Sequence, residues 1–220
     1  MDNKKVLLVV PTRGRPEASL NFYEAFKGNS QITDLMFGLD DDDAESYPRI
    51  ENVLYEINPR MGMNGTLNHI ASKYADKYDY IAFMGDDHRI RTAGWDVTLT
   101  NAIGDLGLAY GNDLLMGESL ATAVVMSSNI IRAIGFMAPP KQKHLYLDNF
   151  WMEVGKRLGR LHYRGEVIIE HMHFSVGKSE KDALYEETNS SNMYDADRVA
   201  FEEYMSQSFE EDIKKIEALI

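Results

Sequence analysis

The chain of 220 residues contains no cysteine and only six prolines. The absence of cysteine excludes a disulfide framework, a cysteine-ligated zinc or iron–sulfur site and a thiol nucleophile. Long hydrophobic runs are also missing: the run Val6–Val10 near the start covers five residues, whereas a signal-peptide core needs at least ~7 and a membrane helix ~20. A chain of this length buries roughly 70% of the surface that its unfolded form exposes, so its core needs no disulfide or structural metal. We therefore expect a soluble, cytoplasmic protein without a membrane span.

Positive charge is scarce. Lys and Arg number 23 against 35 Asp and Glu, which gives a net charge of -12, and the segment from Ser179 to Ile220 alone carries -8 of it. Nonspecific binding to nucleic acid depends on Lys and Arg that displace counterions from the phosphates. We therefore do not expect nonspecific nucleic-acid binding.

Short apolar runs alternate with helical patterns along the first three quarters of the chain. The patterns predict strands at 5–10, 32–39, 52–57, 80–84, 106–110 and 121–126, and helices at 16–27, 67–78, 93–103 and 148–158. Such alternation predicts an α/β fold with a mainly parallel sheet flanked by helices, in which ligands bind at the carboxyl ends of the strands. We expect one domain over residues 1–178, with halves at about 1–90 and 91–178, followed by an acidic linker and helical tail over 179–220.

The tail has its own pattern. Residues 179–193 are polar, and the apolar residues that follow recur every three or four positions: Phe201, Met205, Phe209, Ile213, Ile216 and Ile220. This spacing predicts one C-terminal amphipathic helix. The helix either packs back on the body, as most amphipathic helices do, or mediates homo-oligomerisation or partner binding.

Several common catalytic motifs are absent. No two glycines are spaced as Gly-x-Gly, so the dinucleotide fingerprint is missing, and there is no Gly-x-x-x-x-Gly-Lys phosphate loop. Neither a Gly-x-Ser-x-Gly elbow nor a His-Glu-x-x-His pair occurs. Dinucleotide-dependent, P-loop, serine-hydrolase and zincin chemistry are therefore not indicated.

Acidic residues and histidines follow three of the predicted strands. Asp40–Asp43 form a run of four carboxylates that is either solvated or neutralised by a cation or by ligand hydroxyls. Gly85-Asp86-Asp87-His88 offers oxygen and nitrogen ligands suited to Mn²⁺ or Mg²⁺, although surface turns also use Gly-Asp-Asp. In a continued strand, His171 and His173 would share one face and could reach the same cation.

These motifs carry a family resemblance. Val9–Pro16 resembles the opening strand and loop of the GT-A fold nucleotide-sugar glycosyltransferases, particularly their family 2-like inverting group. Further landmarks resemble that family in the same order: 58–62 with Asn68, 85–88, 121–126 with 134–136, 146–149 with 157–159, and 170–173. The resemblance covers about residues 5–176. It implies a Rossmann-like GT-A sheet and a role for each matching residue.

The implied roles fall into three groups. The resemblance implies a Mn²⁺ or Mg²⁺ site formed by Asp87, His88, His171 and His173. It implies nucleotide-sugar binding by Pro11, Thr12, Arg13, Arg15, Asp40, Asp41, Gly62, Asn64, Asn68 and Asp86. The catalytic base would be Asp148, for which a helix N-cap is the structural alternative.

The implied activity is metal-dependent transfer of a single sugar from a nucleotide-diphosphate sugar, UDP- or GDP-linked, to an unassigned acceptor hydroxyl with inversion. The chain lacks the Gln-x-x-Arg-Trp motif of processive synthases, which favours single transfer. Two departures from the family pattern, Gly85 for the first acid and Leu147 for the usual Glu, keep a noncatalytic sugar-nucleotide-binding module open. A sugar-nucleotide nucleotidylyltransferase is the other alternative, although its Gly-x-Gly loop is missing.

Overall fold

A computed structural model of the chain describes residues 4–178, 182–188 and 190–220. The described residues form an α/β fold around one eight-stranded sheet with the order β3-β2-β1-β4-β7-β6-β8-β5. The strands are β1 Val6–Thr12, β2 Thr33–Asp40, β3 Leu54–Asn58, β4 Tyr80–Phe83, β5 His88–Ile90, β6 Leu108–Asn112, β7 Val124–Ser127 and β8 Leu161–His171. The helices are α1 Pro16–Lys27, α2 Gly62–Tyr74, α3 Trp95–Ile103, α4 Ser128–Ile134, α5 Leu147–Leu158, α6 Ala183–Thr188, α7 Ser191–Gln207 and α8 Phe209–Glu217.

Strand β1 lies at the centre of the N-terminal half. It pairs in parallel with β2 on one side and β4 on the other, and residues 6–10 are fully buried. Leu7 and Val9 pack in the core that contains α2, α4, α5 and α8, whereas Val6, Leu8 and Val10 pack in the core that contains α1 and α3. The continuous apolar run therefore reflects a strand covered by helices on both faces.

The sheet is parallel through β3, β2, β1 and β4 but mixed beyond them. Strand β7 is antiparallel to both β4 and β6, and β5 is antiparallel to β8, while β6 and β8 are parallel. Four of the seven described strand pairs are parallel, in line with the expectation of a mainly parallel sheet, and the antiparallel pairs lie beyond β4. The connection from β6 to β7 contains no crossover helix, and antiparallel strands need none.

The elements that the sequence patterns missed include two short ones and most of a long strand, β8, which was indicated only by the apolar run 167–169. Strand β5 spans only three residues, and α4 follows β7 without an intervening loop. Helix α2 begins at Gly62, five positions before the predicted start at Leu67, with Gly62 itself at φ +72°. Periodicity cannot detect such short segments because fewer than two turns or alternations repeat.

The expected C-terminal amphipathic helix is present but divided into α7 and α8, and α6 precedes them in the described part of the tail. Helices α7 and α8 are separated at Ser208, and Phe209, Ile213 and Ile216 are buried in the same core as α4 and α5. The structure therefore supports packing of the apolar face of α8 on the body of the protein. Ile220, at the end of the predicted pattern, is 67% exposed. Within the predicted linker, residues 179–181 and Asn189 lie outside the described residues, so the domain boundary at Ser179 stays a prediction. None of the described helices has the length and apolar character that crossing a bilayer requires.

Candidate functional site

A cavity of about 620 Å³ opens at the carboxyl ends of the parallel strands. Pro11 and Thr12 of β1, Asp40 of β2 and the turn after β4 form its floor, and the first turns of α2 and α5 flank it. This is the position at which α/β sheets of this kind bind ligands. The location predicted from the strand ends is therefore where the structure has its large cavity.

Asp87, His88 and His171 converge in this cavity. Each offers one ligand atom, and these atoms all lie within 4.8 Å of one another. Sheet pairing brings them together: β5 begins at His88, and His88 is the register partner of His171 at the end of β8. The two imidazole rings consequently stack with their centroids 4.2 Å apart.

The donor set fits a divalent cation. Asp87 lies 3.2 Å from Nε2 of His171 and 3.3 Å from Nδ1 of His88. Among the described residues, Nε2 of His88 and Nδ1 of His171 are buried and have no hydrogen-bond partner. Buried polar atoms are rarely left without a partner, and a carboxylate with two imidazoles suits Mn²⁺ and related ions. The unpartnered nitrogens therefore support a metal site.

The charges of this group agree with metal binding. Burial acts to raise the pKa of Asp87, but hydrogen bonds with His171 and His88 hold it well below its usual range. Burial lowers the pKa of His88. Burial also acts to lower the pKa of His171, but the hydrogen bond with Asp87 and the charge of Asp87 outweigh burial and raise this pKa. Asp87 and His88 are thus held in the deprotonated forms that bind metals.

His173 lies beside this group but outside it. Strand β8 ends at His171, so the alternation that would place both histidines on one face does not continue. The ring of His173 lies 4.9 Å from that of His171, and both residues line the cavity. A metal-binding role for His173 stays a prediction.

Asp86 faces the loop after β1. It is 4% exposed and accepts hydrogen bonds from the Thr12 hydroxyl at 2.6 Å and from Arg15 at 3.2 Å. Burial and the charge of Asp87 raise the pKa of Asp86 to about 6. The predicted contribution of Thr12, Arg15 and Asp86 to one site is consistent with these contacts.

Two arginines bring positive charge to the cavity. Arg13 donates to Asp40 at 2.8 Å and to Asp42 at 2.6 Å. Arg15 makes a bidentate pair with Asp182, at 2.6 and 2.8 Å, in addition to its bond to Asp86. A hydrogen bond to Asp42 raises the pKa of Arg13, and one to Asp182 raises that of Arg15. Both side chains therefore remain charged, and guanidinium groups of this kind can bind an anionic ligand.

Three of the predicted nucleotide-sugar residues are not brought into the cavity. Asp41 is exposed, and Asn64 is fully buried. Asn68 accepts hydrogen bonds from the backbone N–H groups of Met137 and Ala138, both at 2.9 Å. Because α2 begins at Gly62, Asn64 and Asn68 lie on its inner side, whereas Gly62 and Pro11 line the cavity.

Asp148 is the second residue of α5 and lines the cavity. The N-cap position belongs to Tyr146, which has φ +65°, so Asp148 does not fill the structural role that was its alternative. Its carboxylate accepts the N–H of Asn149 at 3.0 Å. Burial raises the pKa of Asp148, and a raised pKa brings a carboxylate closer to the range useful in proton transfer.

Asp113 is a site residue that the motifs missed. One of its carboxylate oxygens accepts three backbone N–H groups, from Leu115, Met116 and Gly117, and the other accepts the Thr122 hydroxyl at 2.8 Å. The latter oxygen also lies 4.0 Å from Nδ1 of His171. Asp113 directly follows strand β6, and this position at a strand end is the sequence feature that could have identified it. The cavity wall further includes Arg60 and Tyr146, which lie in the motifs 58–62 and 146–149, and Lys143, Tyr185 and Tyr194, which no motif indicated.

The eight-stranded α/β sheet and its flanking helices have the GT-A fold. No protein-family model and no curated protein sequence matches the chain. Among solved structures, the mannosyltransferase PcManGT from Pyrobaculum calidifontis in complex with GDP-Man and Mn²⁺ has a TM-score of 0.55 at 11% identity, covering 97% of this chain and 73% of that one. Glucosyl-3-phosphoglycerate synthase from Mycobacterium tuberculosis, in complex with Mn²⁺, UDP and phosphoglyceric acid, has a TM-score of 0.59 at 12% identity over 90% of this chain and 77% of that one.

Staphylococcus aureus TarS is also similar. Its 1–349 fragment in complex with UDP-GlcNAc has a TM-score of 0.60 at 9% identity, covering 89% of this chain and 65% of that fragment. The chain spans only 36% of the length of a longer TarS structure and 59% of the fragment in complex with UDP. At these identities, the likeness establishes the GT-A fold that the sequence resemblance implied.

Proposed function

We propose that the chain is a glycosyltransferase that moves one sugar from a nucleotide-diphosphate sugar to an acceptor hydroxyl, with inversion and with Mn²⁺ or Mg²⁺ as cofactor. The observation that carries this proposal is the convergence of Asp87, His88 and His171 in the cavity at the strand ends. The similar structures with UDP, UDP-GlcNAc or GDP-Man support a UDP- or GDP-linked donor.

Asp87, His88 and His171 would hold the cation. A bound divalent ion stabilises the negative charge that develops on a leaving diphosphate. Arg13 and Arg15 add fixed positive charge in the same cavity. Both arginines are paired with carboxylates, which limits how far their charges can move when the donor binds.

Asp148 would act as the base. In an inverting transfer, the acceptor oxygen forms a bond to the anomeric carbon while the bond from that carbon to the diphosphate oxygen breaks. The hydroxyl proton must pass to a nearby group, and the Asp148 carboxylate lines the cavity with a pKa raised by burial. A raised pKa favours proton acceptance near neutral pH.

The cytoplasmic location expected from the sequence stays a prediction.

Donor binding is the first test. Thermal unfolding is followed with UDP, GDP, CDP and dTDP and their sugars, with and without Mn²⁺, because a ligand that binds only the native state raises the melting temperature. We expect a Mn²⁺-dependent increase for a uridine or guanosine donor, and its loss in Asp87→Asn. The exposed Asp41→Asn is the matched control. No shift with any nucleotide would favour the noncatalytic alternative.

Substitution of the base tests the mechanism. We expect Asp148→Asn to lower sugar transfer by ~10²–10⁴-fold, since amide nitrogen cannot accept the proton and general-base catalysis is worth about that much. The dissociation constant of the nucleotide in the presence of Mn²⁺ should stay within about twofold. Glu153→Gln, an exposed change on the same helix, is the control. Full turnover in Asp148→Asn would refute the assignment of the base.

A further inference from the structure

Asp197 lies on α7, in the tail, yet it is 1% exposed. A fully buried carboxylate is costly unless it is hydrogen-bonded. Its Oδ1 accepts the backbone N–H of Lys143 at 2.9 Å, and its Oδ2 accepts those of His144 and Leu145 at 2.9 and 2.8 Å. One side chain of the tail thus binds three consecutive amides of a loop that is more than fifty positions away in the sequence.

The loop in question, residues 143–146, forms part of the cavity wall. It is also the entry to α5: Tyr146 is the N-cap residue, and its carbonyl accepts the N–H of Phe150 at 3.1 Å. Asp148 follows two residues later. The position of the 143–146 loop therefore determines where the first turn of α5 presents Asp148.

The same helix also holds the side chain of Tyr146. The ring of Phe201, one turn after Asp197 on α7, stacks on it at 5.5 Å with an interplanar angle of 20°. Tyr194 approaches it edge-on at 6.3 Å. Tyr146 has a positive φ, which costs energy for a residue with a side chain. These contacts with α7 stabilise that backbone conformation.

From these contacts, and on the basis of the proposed function, we propose that Asp197 is a positioning residue: it fixes the 143–146 loop against the body and thereby sets the position of Asp148 for transfer. The tail is then a part of the catalytic unit. Asp197 contributes to the geometry of the base, and we expect metal and donor binding not to depend on Asp197 because the proposed metal ligands lie on β5, β8 and the turn after β4.

The test compares Asp197→Asn with Asp212→Asn. Asp212 is a matched control: it is also buried in the tail, at 7% exposure, but it bonds to Tyr204 and Lys215 instead of the loop. An asparagine at 197 keeps the shape but brings N–H groups toward loop amides that need acceptors. We expect amide hydrogen exchange of residues 143–145 to become about tenfold faster or more in Asp197→Asn and to stay unchanged in Asp212→Asn.

Kinetics separate positioning from simple destabilisation. In Asp197→Asn we expect kcat for turnover of the donor sugar to fall about tenfold, with its KM and the Mn²⁺-dependent binding of UDP or GDP unchanged, because misplacement of a base affects mainly the chemical step. In Asp212→Asn, a comparable loss of melting temperature should leave kcat unchanged. The proposal would be overturned if amide hydrogen exchange at 143–145 were the same in Asp197→Asn as in the parent chain. An equal loss of kcat in Asp197→Asn and Asp212→Asn would also overturn it.

A second variant covers the case in which Asp197→Asn does not fold. Phe201→Leu removes the ring stacked on Tyr146 and should raise exchange at 143–145 and lower kcat in the same direction, by a smaller factor. Unchanged exchange and kcat in Phe201→Leu would count against the proposal. If the parent chain binds neither UDP nor GDP with Mn²⁺, the proposed function fails, and hydrogen exchange still decides whether Asp197 holds the loop.

Discussion

The buried side chain of Asp113 stabilises a turn and also lies near His171, a candidate metal ligand. Its two oxygens accept three backbone amides and one hydroxyl, and one of them lies 4.0 Å from Nδ1 of His171. The backbone N–H of His171 also donates to the carbonyl of Asp113 at 2.9 Å. The side-chain separation of 4.0 Å is longer than a hydrogen bond, so Asp113 acts on the His171 ring through its negative charge, which acts to raise the pKa of His171.

We expect Asp113→Asn to weaken Mn²⁺ binding by ~10-fold, the low end of the effect of groups behind a metal ligand, because it removes a negative charge near the His171 ring. Titration of the free Mn²⁺ signal by electron paramagnetic resonance measures the affinity without any need for turnover. Glu118→Gln, an exposed change in the same turn region, is the control. If Asp113→Asn binds Mn²⁺ as tightly as the parent chain, Asp113 has no influence on the metal site.

At the scale of elements, β3 and α2 are joined by an acidic side chain on the strand and basic ones on the helix. Glu56 is 9% exposed and accepts hydrogen bonds from Lys73 at 2.6 Å and from Tyr74 at 3.3 Å, with His69 at 3.2 Å. Burial acts to raise the pKa of Glu56, but the hydrogen bonds with Lys73 and His69 outweigh it and lower the pKa. A pKa below the unfolded value of about 4.3 stabilises the fold above that pH, and this contribution is lost as pH falls through the native value.

We therefore expect Glu56→Gln to lower the melting temperature at pH 7, and the difference from the parent chain to shrink as the pH is lowered below about 4. Thermal unfolding between pH 7 and pH 3 measures both effects. Glu51→Gln, at an exposed position before β3, should show no such difference. A difference that is the same at every pH would mean that packing, and not the charge of Glu56, causes it.

At the scale of the whole molecule, the tail completes the core on one face of the sheet. Phe209, Ile213 and Ile216 of α8 are 6%, 1% and 0% exposed and join the core of α4 and α5. Burial of such side chains contributes about 1.5–3 kcal/mol each, which together is a large part of the roughly 5–15 kcal/mol by which domains are stable. Helix α8 thus contributes a substantial part of the stability of the fold.

Deletion of residues 208–220 should therefore lower the melting temperature by more than 10 °C or abolish cooperative unfolding, since it uncovers the core. Differential scanning calorimetry and the binding of a hydrophobic dye to the exposed core measure the two outcomes. Deletion of Leu219 and Ile220 alone, which are 51% and 67% exposed, should have little effect. A deletion variant with the melting temperature of the full chain would show that α8 does not support the core.

The sequence by itself determined the elements whose pattern repeats. Helix α1 spans the predicted residues 16–27, and α5 begins one residue before its predicted start, because their apolar spacing continues over three turns. The carboxyl ends of β1, β2 and β4 were visible as acidic or polar residues after apolar runs, so Thr12, Asp40, Asp86 and Asp87 could be assigned to one edge of the sheet. This local information was enough to predict the fold class and the location of the cavity, and it identified Asp87 and His88 as candidate metal ligands.

The tertiary structure decided what depends on pairing between distant segments. The register of β5 with β8 brings His171 to His88 and leaves His173 beyond the strand. Helix α2 buries Asn64 and holds Asn68 against the backbone of Met137 and Ala138, and the contacts of Asp113 and Asp197 follow from loops that no periodicity describes. The residues that make these contacts are separated by tens of positions in the sequence, and only packing of the whole chain brings them close together.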